Sequence, residues 1–161
     1  MKKFELTTNT KMFLGKKLFQ IKALISFGDV EAGELGGYIE KEENLSQAGD
    51  AWVTGNAWVT DNARVAGNAR VTDNAWVTGD AWVAGNASYT TIKGFGREYR
   101  TTTFFRCKDG KVRVRCGCFY GDLEEFRVIV KETHGESKKA KEYLMIADLM
   151  ELHFEENEND K

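Results

Sequence analysis

From Ala51 to Ala87 the chain writes one hexapeptide six times, with alanine at 51, 57, 63, 69, 75, 81 and 87 and valine at 53, 59, 65, 71, 77 and 83. No helix repeats at six residues, whereas a short strand followed by a corner does, and the Gly-Asn, Asp-Asn and Gly-Asp pairs of the repeat are corner residues. Alternation along each strand sends Ala and Val to one side and the residues between and after them to the other. The small and β-branched set is the inward one. The single variable column, Trp52, Trp58, Arg64, Arg70, Trp76 and Trp82, is therefore expected on the surface beside the threonines. The chain contains no proline, so its turns fall to Gly, Asn and Asp, which tolerate left-handed or tight backbone conformations.

A length of 161 residues suits one domain or a small capped repeat array, and 42% hydrophobic with 30% charged residues describes a globular chain. The net charge of -2 gives no global electrostatic case for nucleic acid or membrane, so such a case has to come from a local cluster. The opening MKKFELTTNTKMFLGKKLF is basic but has no continuous apolar stretch, and no run approaches membrane-spanning length. No membrane partner is expected, and a cytoplasmic location is. Three cysteines, Cys107, Cys116 and Cys118, are an odd number in a short span and do not suggest a secreted disulfide framework.

The hexads resemble the hexapeptide-repeat left-handed β-helix family, in which an aliphatic residue is followed four places later by a small one, as in Val53/Ala57 through Val83/Ala87. That resemblance implies a triangular prism with three hexads per coil. The fold class expected is mainly β: a short left-handed parallel β-helix of about three coils, with an N-terminal β cap and a C-terminal β-hairpin plus two-helix unit. Residue i then lies beneath residue i+18, giving the outward ladders Trp52/Arg70, Trp58/Trp76 and Arg64/Trp82. Cation–π or stacked contacts in such ladders are worth about 0.5–1 kcal/mol each at an exposed site. Ile39 and Leu45 read as two earlier rungs, out of phase by a two-residue insertion, and Tyr89 as a ninth. The expected divisions are a cap at 1–37, the repeat at 38–90 and an α+β unit at 91–161.

In the last unit TTTFFRCKDGKVRVRCGCF reads as a hairpin over about 101–118, turning at Asp109-Gly110. That register puts Phe105 and Cys107 on one face with Val112, Val114, Cys116 and Cys118, and Arg106, Arg113 and Arg115 on the other. Helices follow at about 122–134, opened by an Asp122/Glu125 capping box and closed at Gly135, and at about 137–155. The second carries Tyr143, Leu144, Ile146, Ala147, Leu149, Met150 and Phe154 before an acidic tail.

The familiar enzymes of the resembled family transfer acyl groups with a histidine base near the coils. Here both histidines, His134 and His153, lie in the last unit, which argues against acyl transfer, and two histidines cannot supply a three-histidine zinc site from one subunit. His134 reads as a helix C-terminal residue stabilised by the helix dipole, and the cysteines as small core residues. No metal and no cofactor are expected. Residues 93–131 hold ten cations against five acids, interleaved with Tyr99 and Phe104, a pattern able to contact phosphates or nucleic acid.

FGDVEAGELGGYIEKEENLSQAGDAWV and CGCFYGDLEEFRVIVKETHGESKKAKEYL resemble segments of hexapeptide-repeat proteins encoded by phages and prophages. The resemblance implies a non-catalytic accessory protein in the cytoplasm of a bacterial host. The function expected is inhibition of a host defence system such as CRISPR by binding a host protein complex. Its anchors would be Trp52, Trp58, Arg64, Arg70, Trp76 and Trp82, with Arg106, Arg113 and Arg115 beside them. A sponge for a small nucleotide and a divergent acyltransferase are the alternatives. Flat solenoid faces and exposed tryptophans suggest a homo-oligomer, a trimer first and a dimer second.

Overall fold

The computed structural model describes residues 1–155 of the chain, a mixed β-sheet core followed by a two-helix unit. The first strands are β1 (Phe4–Phe13), β2 (Lys16–Ala23) and β3 (Leu35–Ile39), with β1 and β2 joined as a hairpin at Leu14-Gly15. Both turn residues have positive φ, 49° and 78°, the conformation a tight two-residue hairpin demands. Six two-residue strands then mark the hexads: β4 (Trp52–Val53), β5 (Trp58–Val59), β6 (Arg64–Val65), β7 (Arg70–Val71), β8 (Trp76–Val77) and β9 (Trp82–Val83).

The hexads pair in parallel with the strand 18 residues further on, β4 with β7, β5 with β8 and β6 with β9, so Trp52 meets Arg70, Trp58 meets Trp76 and Arg64 meets Trp82. Ile39 pairs with Val59 and Leu45 bridges to Val65, a step of 20, as the two-residue insertion requires. Backbone bonds of 2.9–3.0 Å from Trp52, Trp58 and Arg64 to Ala69, Ala75 and Ala81 hold the ladders together. The six valines are fully buried, each contributing about 1.5–3 kcal/mol through apolar area removed from water. At the corners Asp61 and Asp73 adopt φ of 58°, and the equivalent glycines 55, 67 and 79 adopt 64–65°. The left-handed residue is thus the first of each of these five corner pairs, whereas Gly85 of the sixth is extended. Tyr89 is not a ninth parallel rung: it opens β10 and reaches back to donate its hydroxyl to the Arg70 carbonyl.

The variable column is not uniformly exposed, which corrects the surface expectation. Trp52 is 1% exposed, Trp58, Trp76 and Arg70 are half-buried, and only Arg64 and Trp82 stand open. The N-terminal segment wraps the sides of the ladders as well as their end. Phe27 packs edge-on to Trp52 at 5.4 Å and Asp29 pairs with Arg70, covering one face. The tip of the β1–β2 hairpin folds over a second face, with Lys11 4.2 Å above the Tyr38 ring, Phe13 against Trp58 and Trp76, and Lys16 paired with Asp61. Among the described residues neither Arg70 nor Arg64 lies over the ring of its ladder neighbour. β3, at 35–39, belongs to the same five-stranded sheet as β1, β2, β5 and β8, so chain on both sides of residue 37 shares one core.

Lys3 anchors that wrap. It is 2% exposed, donates to the carbonyls of Gly49 and Ala51 at 3.2 and 2.8 Å, and lies 4.7 Å from the Phe27 ring centroid. Burial holds its pKa down to about 8 from 10.5. Between those values the unfolded chain binds the proton that the folded chain releases, so Lys3 favours folding increasingly as pH rises from about 8 to 10.5. Urea unfolding across that window should show wild type gaining stability relative to Lys3→Met, and a pH-independent difference would refute the assignment.

The rest of the chain is a four-stranded antiparallel sheet, β10 (Tyr89–Lys93), β11 (Thr101–Arg106), β12 (Val112–Cys116) and β13 (Phe119–Asp122), with α1 (Leu123–His134) and α2 (Lys138–His153). Asp122 and Glu125 cap α1 reciprocally, Gly135 ends it, and Ser137 caps α2, all at the expected places. The acidic run from residue 156 lies outside the described residues. Strand β11 is buried on both faces. Phe104 joins Phe126, Val130, Tyr143 and Ile146 beneath the helices, while Phe105 and Cys107 close the end of the valine core.

The hairpin register differs from expectation by one residue. The loop is Lys108-Asp109-Gly110, with Cys107 donating to Lys111 O at 2.8 Å and Gly110 at φ 84°. Three-residue loops with a left-handed glycine at the third place are a standard hairpin closure, and a one-residue slip exchanges the faces of a strand. Phe105 therefore faces Arg113, and Phe104 faces Val114. Arg106 parts from Arg113 and Arg115 and joins the helix side, where it donates to the Phe154 carbonyl at 2.8 Å. Of the cysteines, Cys107 is buried, Cys116 half-buried and Cys118 exposed, so only the first is the core residue expected.

Candidate functional site

The exchange of faces turns Arg115 toward the repeat. Its guanidinium lies flat on Trp76, with the guanidinium carbon 3.7 Å from the ring centroid. Trp76 is fixed beneath it by its indole N–H, which donates to Thr60 Oγ1 at 3.2 Å, and by its backbone N–H, which donates to Thr103 Oγ1 at 3.0 Å. Phe13 packs 4.4 Å from Trp58 and 4.8 Å from Trp76, and the two indoles meet edge to face at 5.8 Å.

These rings form one wall of a cleft of about 560 Å³ between the β1 tip, the β5–β8 ladder and the sheet of the last unit. Tyr99, 67% exposed and held at φ 50°, stands at the rim. A non-glycine residue at positive φ carries a steric cost, and such residues concentrate at ligand-clamping sites. Lys11, Lys93, Arg100 and Arg115 also line the cleft, and among the described residues no carboxylate does. Its floor extends through Asn56, Asn74, Lys93 and Thr101 into a polar recess of about 330 Å³ that includes Thr91 and Asp73.

Several cations elsewhere are paired: Arg113 with Asp109 at 2.9 Å, Arg127 with Asp148 at 2.9 Å and Glu151 at 2.7 Å, Arg70 with Asp29, and Lys16 with Asp61. Among the described residues none of the four cleft cations has a carboxylate partner. Arg115 is the extreme case. Its Nε is buried with no hydrogen-bond acceptor, and burial draws its pKa below the ordinary guanidinium value. A guanidinium remains charged at neutral pH, so a half-buried one without an acceptor carries an unmet desolvation cost that an anion in the cleft would offset.

The expected site residues are therefore scattered. Trp58, Trp76 and Arg115 converge on the cleft, whereas Trp52 and Arg70 lie under the N-terminal wrap, Arg64 and Trp82 form an open ladder elsewhere, Arg113 is neutralised by Asp109, and Arg106 holds α2. Lys11 and Phe13 had no sequence signal, because nothing in β1 predicts that its tip folds over the ladder. Lys93, Tyr99 and Arg100 were visible as part of the basic window 93–131.

His134 stacks on Tyr143 at 5.9 Å beside a smaller cavity of about 270 Å³ beneath α1. Burial pushes the Cys107 thiol up to about 11 and the Tyr143 hydroxyl up to about 12, leaving both neutral at physiological pH. Among the described residues no group of three or more His, Cys, Asp or Glu could hold a metal ion, and no helix is long and apolar enough to cross a membrane. A scan of protein-family models and a search of curated proteins found no match to this chain.

Proposed function

We propose that this is a non-catalytic binding protein whose cleft captures a nucleotide, with the phosphate at Arg115 and the neighbouring cations and the base against the aromatic wall. The observation that carries this reading is Arg115 itself: a guanidinium seated on an indole, with its Nε buried and, among the described residues, without an acceptor, in a cleft that those residues line with three other cations and no carboxylate. Guanidinium groups suit phosphate through paired donors, and aromatic side chains together with arginine planes stack on bases of any sequence. The recess holding Asn56, Asn74, Thr91, Thr101 and Asp73 supplies both donors and acceptors for a sugar or a base edge.

The hexad pattern and the 18-residue register support reading the ladders as a left-handed parallel β-helix of about three coils. The resemblance to phage-encoded hexapeptide proteins supports a role in a bacterial cytoplasm, where removing a nucleotide that a host defence system depends on would inhibit that defence without catalysis. A second reading, direct inhibition of a host protein complex, is favoured by the open Arg64/Trp82 ladder, where Trp82 is 44% exposed.

Native mass spectrometry of protein taken from producing cells without denaturation separates the two. Nucleotide capture predicts a co-purifying phosphorylated mass that Arg115→Gln loses. A host-protein complex that survives Arg115→Gln and dissolves on Trp82→Ala, with no small ligand in either sample, would replace the first reading with the second.

A further inference from the structure

The outer face of α2 carries an apolar stripe that none of the described residues covers. Met145, Leu149 and Leu152 stand at i, i+4 and i+7 on the side opposite Ala140, Tyr143, Ala147 and Met150, which are buried against the sheet and α1. The stripe residues are 71%, 52% and 64% exposed. Large apolar side chains in an unbroken row on an otherwise charged helix mark a contact surface.

Charge along that helix is polarised, with Glu142 as the one acid among the lysines of its first turns. Lys138, Lys139 and Lys141 are exposed at its start and have no carboxylate partner among the described residues. Toward its end, Glu124, Asp148 and Glu151 share the single guanidinium of Arg127, which leaves that end net acidic, and exposed Glu155 adds to it. Laid parallel on a copy of itself, this face would set lysine against lysine. Laid antiparallel, it sets the basic start of each helix against the acidic end of the other, brings the two apolar stripes together, and opposes the helix dipoles favourably.

We propose that α2 packs antiparallel against α2 of a second copy of this chain across a two-fold axis near Met145 and Leu149. Such an isologous contact closes on itself and yields a dimer, in which each stripe residue meets the stripe of its partner. The surface is independent of the cleft, and its test does not depend on whether a nucleotide binds.

Sedimentation velocity of the full chain is expected to show a dimer. Leu149→Glu, at an exposed position, should give a folded monomer with unchanged far-UV circular dichroism. Lys138→Glu combined with Lys141→Glu should weaken the dimer at least tenfold at low salt, with the difference shrinking as salt rises. A wild-type monomer or trimer, or a dimer that both variants leave intact, would overturn the proposal. Should Leu149→Glu unfold the chain, the lysine variant alone decides.

Discussion

Trp52→Ala is expected to destabilise the protein by about 3–5 kcal/mol, the cost of deleting a large aromatic side chain from a packed interior. Trp52 is 1% exposed beneath Phe27, and a Cβ at Gly36 would lie only 2.8 Å from its ring, so β3 crosses directly on the indole. Removing the ring opens a void between the N-terminal wrap and the first ladder that rigid backbone cannot fill. Trp82→Ala, at the same position of the repeat but 44% exposed, should change stability by no more than about 0.5 kcal/mol. Chemical denaturation of the two variants followed by circular dichroism measures the contrast. Equal losses would mean that the N-terminal segment does not wrap the ladder as described.

That contrast marks where sequence reasoning succeeds and where it stops. A six-residue period with fixed alanine and valine makes the inward set, the corners and the 18-residue ladder register legible, because all are local consequences of strand alternation repeated many times. The caps of the first helix are equally local, and Asp122 and Gly135 were readable for the same reason. The burial of Trp52 is not local. It depends on Phe27 and Gly36, which a repeat pattern cannot see. Arg115 was named as a binding residue, but its place beside Trp76 was not legible, for a subtler reason. Asp109-Gly110 reads as a two-residue turn, but Gly110 closes a three-residue loop, and the resulting slip reassigns every side chain from Phe104 to Cys116. Lys11 and Phe13 reach the site only because a hairpin made by local pairing folds onto a distant ladder.

Arg115→Gln is expected to weaken nucleotide binding by about 1.5–3 kcal/mol, roughly ten- to a hundredfold, which is the usual contribution of hydrogen bonds to a charged group. The fold should tolerate the change, since Arg115 makes no ion pair and its replacement relieves the burial of a charge. Arg113→Gln is the matched control. It lies two residues away on the same strand face but is bound to Asp109 at 2.9 Å, so binding should be unaffected. Affinity of the wild type should also fall with added salt, as it does when cations meet phosphate, and the slope should be shallower for Arg115→Gln.

If the half-buried guanidinium of Arg115 on Trp76 defines a phosphate-binding cleft, nucleotides bind there and depend on it. Isothermal titration calorimetry of ATP, GTP and a cyclic dinucleotide into wild type, Arg115→Gln and Arg113→Gln tests it directly. Saturable one-site binding of at least one of these nucleotides is expected, weakened at least tenfold by Arg115→Gln and preserved by Arg113→Gln. Absence of heat with all three nucleotides, or binding that the two variants change equally, would contradict it.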